Sequence, residues 1–193
     1  MHVYDGIDST LATWLTSQPV FFVGTAPLGG DGHVNVSPKG MAGTFAVFDQ
    51  YRVGYLDYYG SGSETIAHLR ENGRITLMFA AFDGRPNIVR LYGKGRVVLS
   101  QDAEFESLRP HFSKQRTVAQ RAIVMVDLDR VSDSCGYAVP LMDFVADRSV
   151  LDLRQEKKGA AAYRAYPEST NAESIDGLPA LGDIADRARE PLG

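Results

Sequence analysis

Six short β-rich runs separated by turn signals, with only one helix between them placed to cross over, narrow the folds open to this chain. The runs are 19–26 (PVFFVGTA), 33–37, 51–58 (YRVGYLDY), 74–82 (RITLMFAAF), 87–100 (NIVRLYGKGRVVLS) and 121–131 (RAIVMVDLDRV). Their β-branched and aromatic residues suit a pleated, half-buried surface. Asp31-Gly32 marks a hairpin between the first two. Pro38 reads as the end of the second ladder, and residues 40–43 as a loosened stretch. Gly93 and Gly95 predict a bulge or bend in the long fifth run. Helices are expected over 8–17, 64–72 and 101–112. The first has Asp8 or Ser9 as cap and Leu11, Trp14 and Leu15 on one face, and Pro19 stops it. The second closes at Asn72-Gly73. A doubly wound parallel sheet needs a crossover helix after nearly every strand. This pattern lacks them and favours a mainly β fold with flanking helices: an antiparallel barrel, closed or nearly so.

After residue 134 the pattern changes. An irregular stretch (SCGYAVPLMDF) leads to an expected helix over 148–166, rich in Ala, Lys and Arg. A polar loop (NAESIDGLPAL) follows, with Leu178 and Leu181 as anchors, and the charged end 182–193 reads as frayed. Residues 1–134 are therefore read as the barrel domain. Residues 135–193 are an extension too poor in apolar sequence for a core of its own. The chain of 193 residues is long enough for one substantial core.

A net charge of −4 and a pI near 5.5 leave no broad basic face for nucleic acid. A small anion site, needing two or three local cations, remains open. The single cysteine, Cys135, has no partner for an internal disulfide and no zinc-type spacing. It reads as a partly buried small hydrophobe. His33, His68 and His111 show no metal spacing, and His68 reads as a surface residue. The opening MHVYDGIDSTLATWL is not a signal peptide, and no apolar run reaches ~18 residues, so a soluble cytoplasmic protein without membrane contact is expected.

Three segments carry polar groups suited to an anion. In the second run, alternation puts Asn35, Ser37 and Lys39 on one side and Val34 and Val36 on the other. An amide, a hydroxyl and an ammonium then point together, as phosphate oxygens require; a solvated outer face would look the same. In the segment 58–65 (YYGSGSET) a strand feeds a Gly/Ser loop that opens a helix, an arrangement that presents free N–H groups to an anion. Ser61, Ser63 and Thr65 add hydroxyls there. The alternative is local capping, with Ser61 and Glu64 forming a capping box. Arg90, among apolar strand residues, needs a partner if it faces inward. That partner would be a phosphate, a ring carbonyl or Asp57; an outward arginine needs none. The aromatics Tyr55, Tyr58, Tyr59, Phe79, Phe82 and Tyr92 read mostly as core, with one or two free to stack on a planar ring.

Taken together, FFVGTA, DGHVNVSPKG, YRVGYLDYYGSGSETIAHLRENGRITLMF and VRLYGKGRVV resemble, in order, the pyridoxamine 5'-phosphate oxidase-like family of FMN-binding split barrels. The likeness covers about residues 15–130 and is most specific in the last two segments. It implies a homodimer with a shared flavin site and, most plainly, a flavin-dependent oxidoreductase. It implies FMN phosphate held by Ser37 and Lys39 and by Ser61, Ser63 and Thr65. The ring would lie near the backbone of Tyr58 and Tyr59, with Asn35 and Arg90 as polar contacts. Relatives of the fold also hold deazaflavin or haem, and a non-enzymatic flavin carrier or sensor is a further alternative. The substrate and any catalytic side chain are left open, and no metal is implied. The oxidase's Arg-x-x-x-x-Lys run is represented only by Lys39, and Glu64-Thr65 stands where it has an Arg-Lys pair. Its C-terminal Trp and Arg motif is not evident, so pyridoxamine phosphate turnover does not follow from the likeness. The extension resembles a C-terminal block of one uncharacterised branch and is expected to cover the site mouth or the partner subunit.

Overall fold

The structure, a computed structural model, describes residues 1–163 and 165–182. Residues 183–193, most of the end expected to fray, lie outside the described residues. In chain order the elements are β1 (Val3–Tyr4), α1 (Ser9–Ser17), β2 (Val20–Thr25), β3 (Asn35–Gly40), β4 (Phe45–Asp49), β5 (Arg52–Tyr58) and α2 (Glu64–Glu71). They continue with β6 (Arg74–Ala80), β7 (Ile88–Leu99), α3 (Ala103–Leu108), β8 (Gln120–Ser134) and α4 (Val150–Lys158). Short 3-10 turns follow α3 (Arg109–His111) and α4 (Ala160–Tyr163).

The strands form one antiparallel sheet in the order β3-β2-β6-β7-β8-β5-β4, with β1 added to β8. β3 and β4 are its two free edges. The sheet curls so far that Lys39 on edge strand β3 reaches Asp57 on β5, with Nζ 2.9 Å from Oδ1. That closure without a joining ladder makes a split barrel. Its interior is filled by alternate residues of the strands, as the period of two requires. Phe21, Val23, Val53, Tyr55, Leu77, Phe79, Val89, Leu91, Val124 and Val126 are all at most 3% exposed. Phe21, Phe45, Tyr55 and Phe79 meet in edge-on, tilted and stacked pairs with centroids 5.0–5.6 Å apart. Burying each such side chain contributes about 1.5–3 kcal/mol. A second cluster, around Phe105, Phe112 and Ile123, covers the other face of β5, β7 and β8.

Several expectations need correcting. Pro38 does not end the second ladder: β3 runs to Gly40, with Pro38 opposite Phe22. A proline, with no N–H to give, is tolerated on an edge strand. Two strands, β1 and β4, lie outside the six β-rich runs. The Ser61–Glu64 capping box does not form; Ser63 is the N-cap of α2 and makes no side-chain cap bond. The helix expected over 148–166 ends at Lys158, because Gly159 takes φ +73 as its cap. Cys135 is exposed rather than partly buried. The expected bulge is present, between Tyr92 and Gly93. A side chain on Gly93 would collide with the carbonyl of Asp127. Asp8 caps α1 by accepting the N–H of Leu11 at 2.7 Å. No helix among the described residues is long and apolar enough to cross a membrane.

Candidate ligand site

Edge strand β3 carries Asn35, Ser37 and Lys39 opposite Thr25, Val23 and Phe21 of β2. The three polar residues therefore share the inner face with core residues, while Val34 and Val36 point out at 71% and 66% exposure. Lys39 bends over the Tyr55 ring, 5.8 Å from its centroid, to bond Asp57. Asp57, 2% exposed, is shared between two cations: Lys39 on Oδ1 and Arg121 of β8 on Oδ2 at 2.5 Å. Burial alone would push this carboxyl up; the charges and hydrogen bonds of Arg121 and Lys39 outweigh it and hold it at about 2. Arg121 also donates to the carbonyl of Gly62 at 2.9 Å and to Asn171 Oδ1 at 3.0 Å. One buried carboxylate thus ties edge strand, barrel wall, Gly/Ser loop and extension together.

Beside this ion pair lies a groove of about 590 Å³. One wall is Pro19, Val20 and Pro38 through Met41; the floor is Leu56 through Gly60; the far wall is Ala146, Asp147, Arg148 and Leu151 of the extension. Lys39, Tyr58 and Tyr59 therefore meet in one hollow, and the extension closes its other side. Tyr58 accepts a hydrogen bond from Gln120 Nε2 at 3.1 Å. Tyr59 stacks on Tyr163 at 5.7 Å and meets Tyr166 edge-on. Burial raises the pKa of both Tyr58 and Tyr59, so both stay neutral donors at ordinary pH.

The hydroxyl set expected to hold phosphate is placed differently. Ser37 donates to Asn35 Oδ1 at 3.1 Å, and Asn35 Nδ2 donates to Thr65 at 3.1 Å and Thr25 at 3.2 Å. Thr25 Oγ1 in turn lies 3.0 Å from His68 Nδ1. His68, read from sequence as a surface residue, is fully buried against the sheet, and burial lowers its pKa. Ser63, 1% exposed, donates to the carbonyl of Glu173 at 3.0 Å. Ser61 is exposed on the loop. Residues 171–181 of the extension run over this set. Asn171 donates to the carbonyl of Gly60 at 3.1 Å, Ala180 and Leu181 pack on Ile66 and Ala67, and Asp176 pairs with His33 at 2.6 Å. Asn35, Ser37, Ser63 and Thr65 are thus gathered near one another, but they are bonded within the protein and roofed by its own chain. Arg90 is not brought to the groove. Its β7 neighbours Val89 and Leu91 fill the core, so it faces outward, where it donates to Ser134 at 2.9 Å.

The sequence reading missed Arg121, Asn171 and Arg148, and named Asp57 only as a partner for Arg90. Asp57 had one usable signal, a charge on the inward side of an otherwise apolar strand. Arg121 and Asn171 become visible only when segments 50 to 64 residues apart are brought together, and Arg148 only when the extension is laid along the groove.

Comparison with known proteins gives the same outline. The family model described as Pyridoxamine 5'-phosphate oxidase matches residues 7–135. Pyridoxamine 5'-phosphate oxidase family protein ustO of Aspergillus flavus is 38% identical over 192 residues, covering 92% of this chain and 77% of that protein. Among solved structures, HupZ of Group A Streptococcus is similar at TM-score 0.53 and 17% identity, over 66% of this chain and 93% of that one. An FMN-binding protein from Syntrophomonas wolfei subsp. wolfei aligns at TM-score 0.47 and 12% identity, over 63% of this chain and 80% of that one.

Proposed function

Because the chain belongs to the pyridoxamine 5'-phosphate oxidase family, we propose that it binds FMN in the groove beside Lys39, as a homodimer, and acts as a flavin-dependent oxidoreductase on a small molecule. The observation that carries this reading is that Lys39 and the Tyr58–Gly60 corner line one hollow. Its volume of about 590 Å³ suits a cofactor, since such sites span ~300–1,000 Å³. Its lining has the matching character: apolar side chains and two tyrosines for a flat ring, and a lysine for an anionic end.

When bound, the flavin would supply the hydride or electron transfer. The chain's own residues would bind, orient and exclude water. Lys39, fixed by Asp57, keeps two of its three N–H donors for a phosphate oxygen. Tyr58, fixed by Gln120, offers its hydroxyl hydrogen at the floor. The extension, closing the far wall, limits water at the ring. The outward-facing Val34 and Val36, on the strand that carries Lys39, offer apolar surface to a second copy.

The test is the visible spectrum of protein purified without added cofactor, followed by FMN titration. A yellow protein, in which Lys39→Ala weakens FMN far more than riboflavin, is expected. A colourless protein that takes up neither flavin sinks the proposal.

A further inference from the structure

We infer that Arg148, carried into the groove by the extension, receives the anionic group of the molecule held there. Four charged residues line the groove: Lys39, Asp57, Asp147 and Arg148. Three are engaged. Lys39 bonds Asp57, whose other oxygen is taken by Arg121. Asp147 turns its carboxylate to the backbone N–H of Ala42 at 3.0 Å. Among the described residues, Arg148 makes no hydrogen bond or ion pair. Of the hydroxyls expected to hold phosphate, Ser37 is spent on Asn35 and Ser63 on Glu173, and neither Ser61 nor Thr65 lines the groove.

Arg148 is unengaged, yet its backbone is held. Asp147, next to it, is tied to Ala42 on the opposite wall. Four residues on, Asp152 bonds Lys114 at 2.7 Å with both side chains nearly buried. These anchors flank Arg148 without using its guanidinium. A fork of N–H donors held at the rim of a hollow suits bidentate pairing with a phosphate or carboxylate. Fixing the backbone beforehand reduces the ordering cost of binding. The groove would then grip its occupant from two sides, with Lys39 on the barrel wall and Arg148 on the extension wall. The anion would be either the cofactor's phosphate or an acidic group on the substrate. The inference rests on the flavin reading only for the identity of the ring between them.

The test uses the full chain with Arg148→Gln and Arg148→Lys. FMN and riboflavin affinities are read by flavin fluorescence, and inorganic phosphate binding by titration calorimetry on protein with and without flavin. If the anion is the cofactor's, Arg148→Gln weakens FMN about tenfold or more and leaves riboflavin unchanged, since a hydrogen bond to a charged group is worth that much. If it is the substrate's, FMN affinity holds, but inorganic phosphate no longer binds the flavin-loaded variant. In either case Arg148→Lys recovers part of the loss. Unchanged FMN and phosphate binding in Arg148→Gln overturns the inference, as does equal weakening of FMN and riboflavin. Wild-type protein that binds phosphate through Arg148 but takes up neither flavin would sink the flavin reading and leave this one standing.

Discussion

Lys39 and Tyr58 stand on strands paired along the sheet, whereas Ala146, Asp147 and Arg148 stand on a stretch without regular secondary structure. The barrel wall is fixed by many small contributions: a continuous ladder and a core whose inward residues are nearly all inaccessible. Along the groove the extension wall is fixed by two polar anchors, Asp147 on Ala42 and Asp152 on Lys114; farther on, Asn171 bonds Arg121 and Gly60, and Ala180 and Leu181 pack on Ile66 and Ala67. Distributed burial resists loss of any one contact, but a wall on a few pins can be released locally. The groove therefore has one side held by many contacts and one held by few, and a single substitution should loosen the second far more than the first.

The largest expected effect tests the barrel side. Phe79→Ala removes a fully buried ring that packs on Phe21 and Phe45 and should cost about 3–5 kcal/mol. Urea unfolding should show one cooperative transition moved to lower denaturant; two transitions would mean that barrel and extension are separate units.

Acid probes the ion pair common to both walls. Asp57 is held at about 2, below the ordinary aspartate value. Above ~pH 4 the carboxylate is ionised both folded and unfolded, and its stabilisation is fully present. As pH falls the unfolded chain takes up the proton first, and the stabilisation drains away until about pH 2. The loss should be on the order of 2 kcal/mol. Asp57→Asn should flatten that part of the pH–stability curve; an unchanged slope would show that other carboxylates set it.

Asn171→Ala strips one pin. It leaves a donor of buried Arg121 and the Gly60 carbonyl without their partner, a cost of about 1–3 kcal/mol. Hydrogen exchange should quicken across 171–181 while β7 and β8 stay protected. Equal quickening in the sheet would erase the contrast between the walls. The smallest effect is expected from His33→Ala. His33 is 72% exposed, and surface pairs of this kind contribute little. The melting temperature should stay within scatter of wild type, and a clear drop would promote the His33–Asp176 contact to a true anchor.

The sequence made the barrel legible because period-two alternation and turn residues are local signals. Alternation put Asn35, Ser37 and Lys39 on one side of the strand but could not say whether that side faced in or out; the curl of the sheet makes it the inner one. β4 escaped because Phe45–Asp49 is five residues long, follows a glycine-rich stretch and is only partly buried. Pro38 misled because a missing N–H ends a central strand but not an edge one, and edge position is a property of the whole sheet. Gly159, by contrast, was a local stop signal inside the expected helix. The candidate site was legible only on its barrel side. Arg121 and Asn171 reach it through pairings set by the folded topology, Arg148 through the course of the extension, and Arg90 was drawn in although its β7 neighbours turn it outward.

Pro38 has one more consequence. As an outer rim of an open sheet, β3 offers main-chain groups that can template a stray strand from another molecule into a fibril. A residue that cannot donate, midway along a six-residue strand, breaks that template. Valines can then stay on the outside of the strand without the rim becoming a seed for runaway polymerisation.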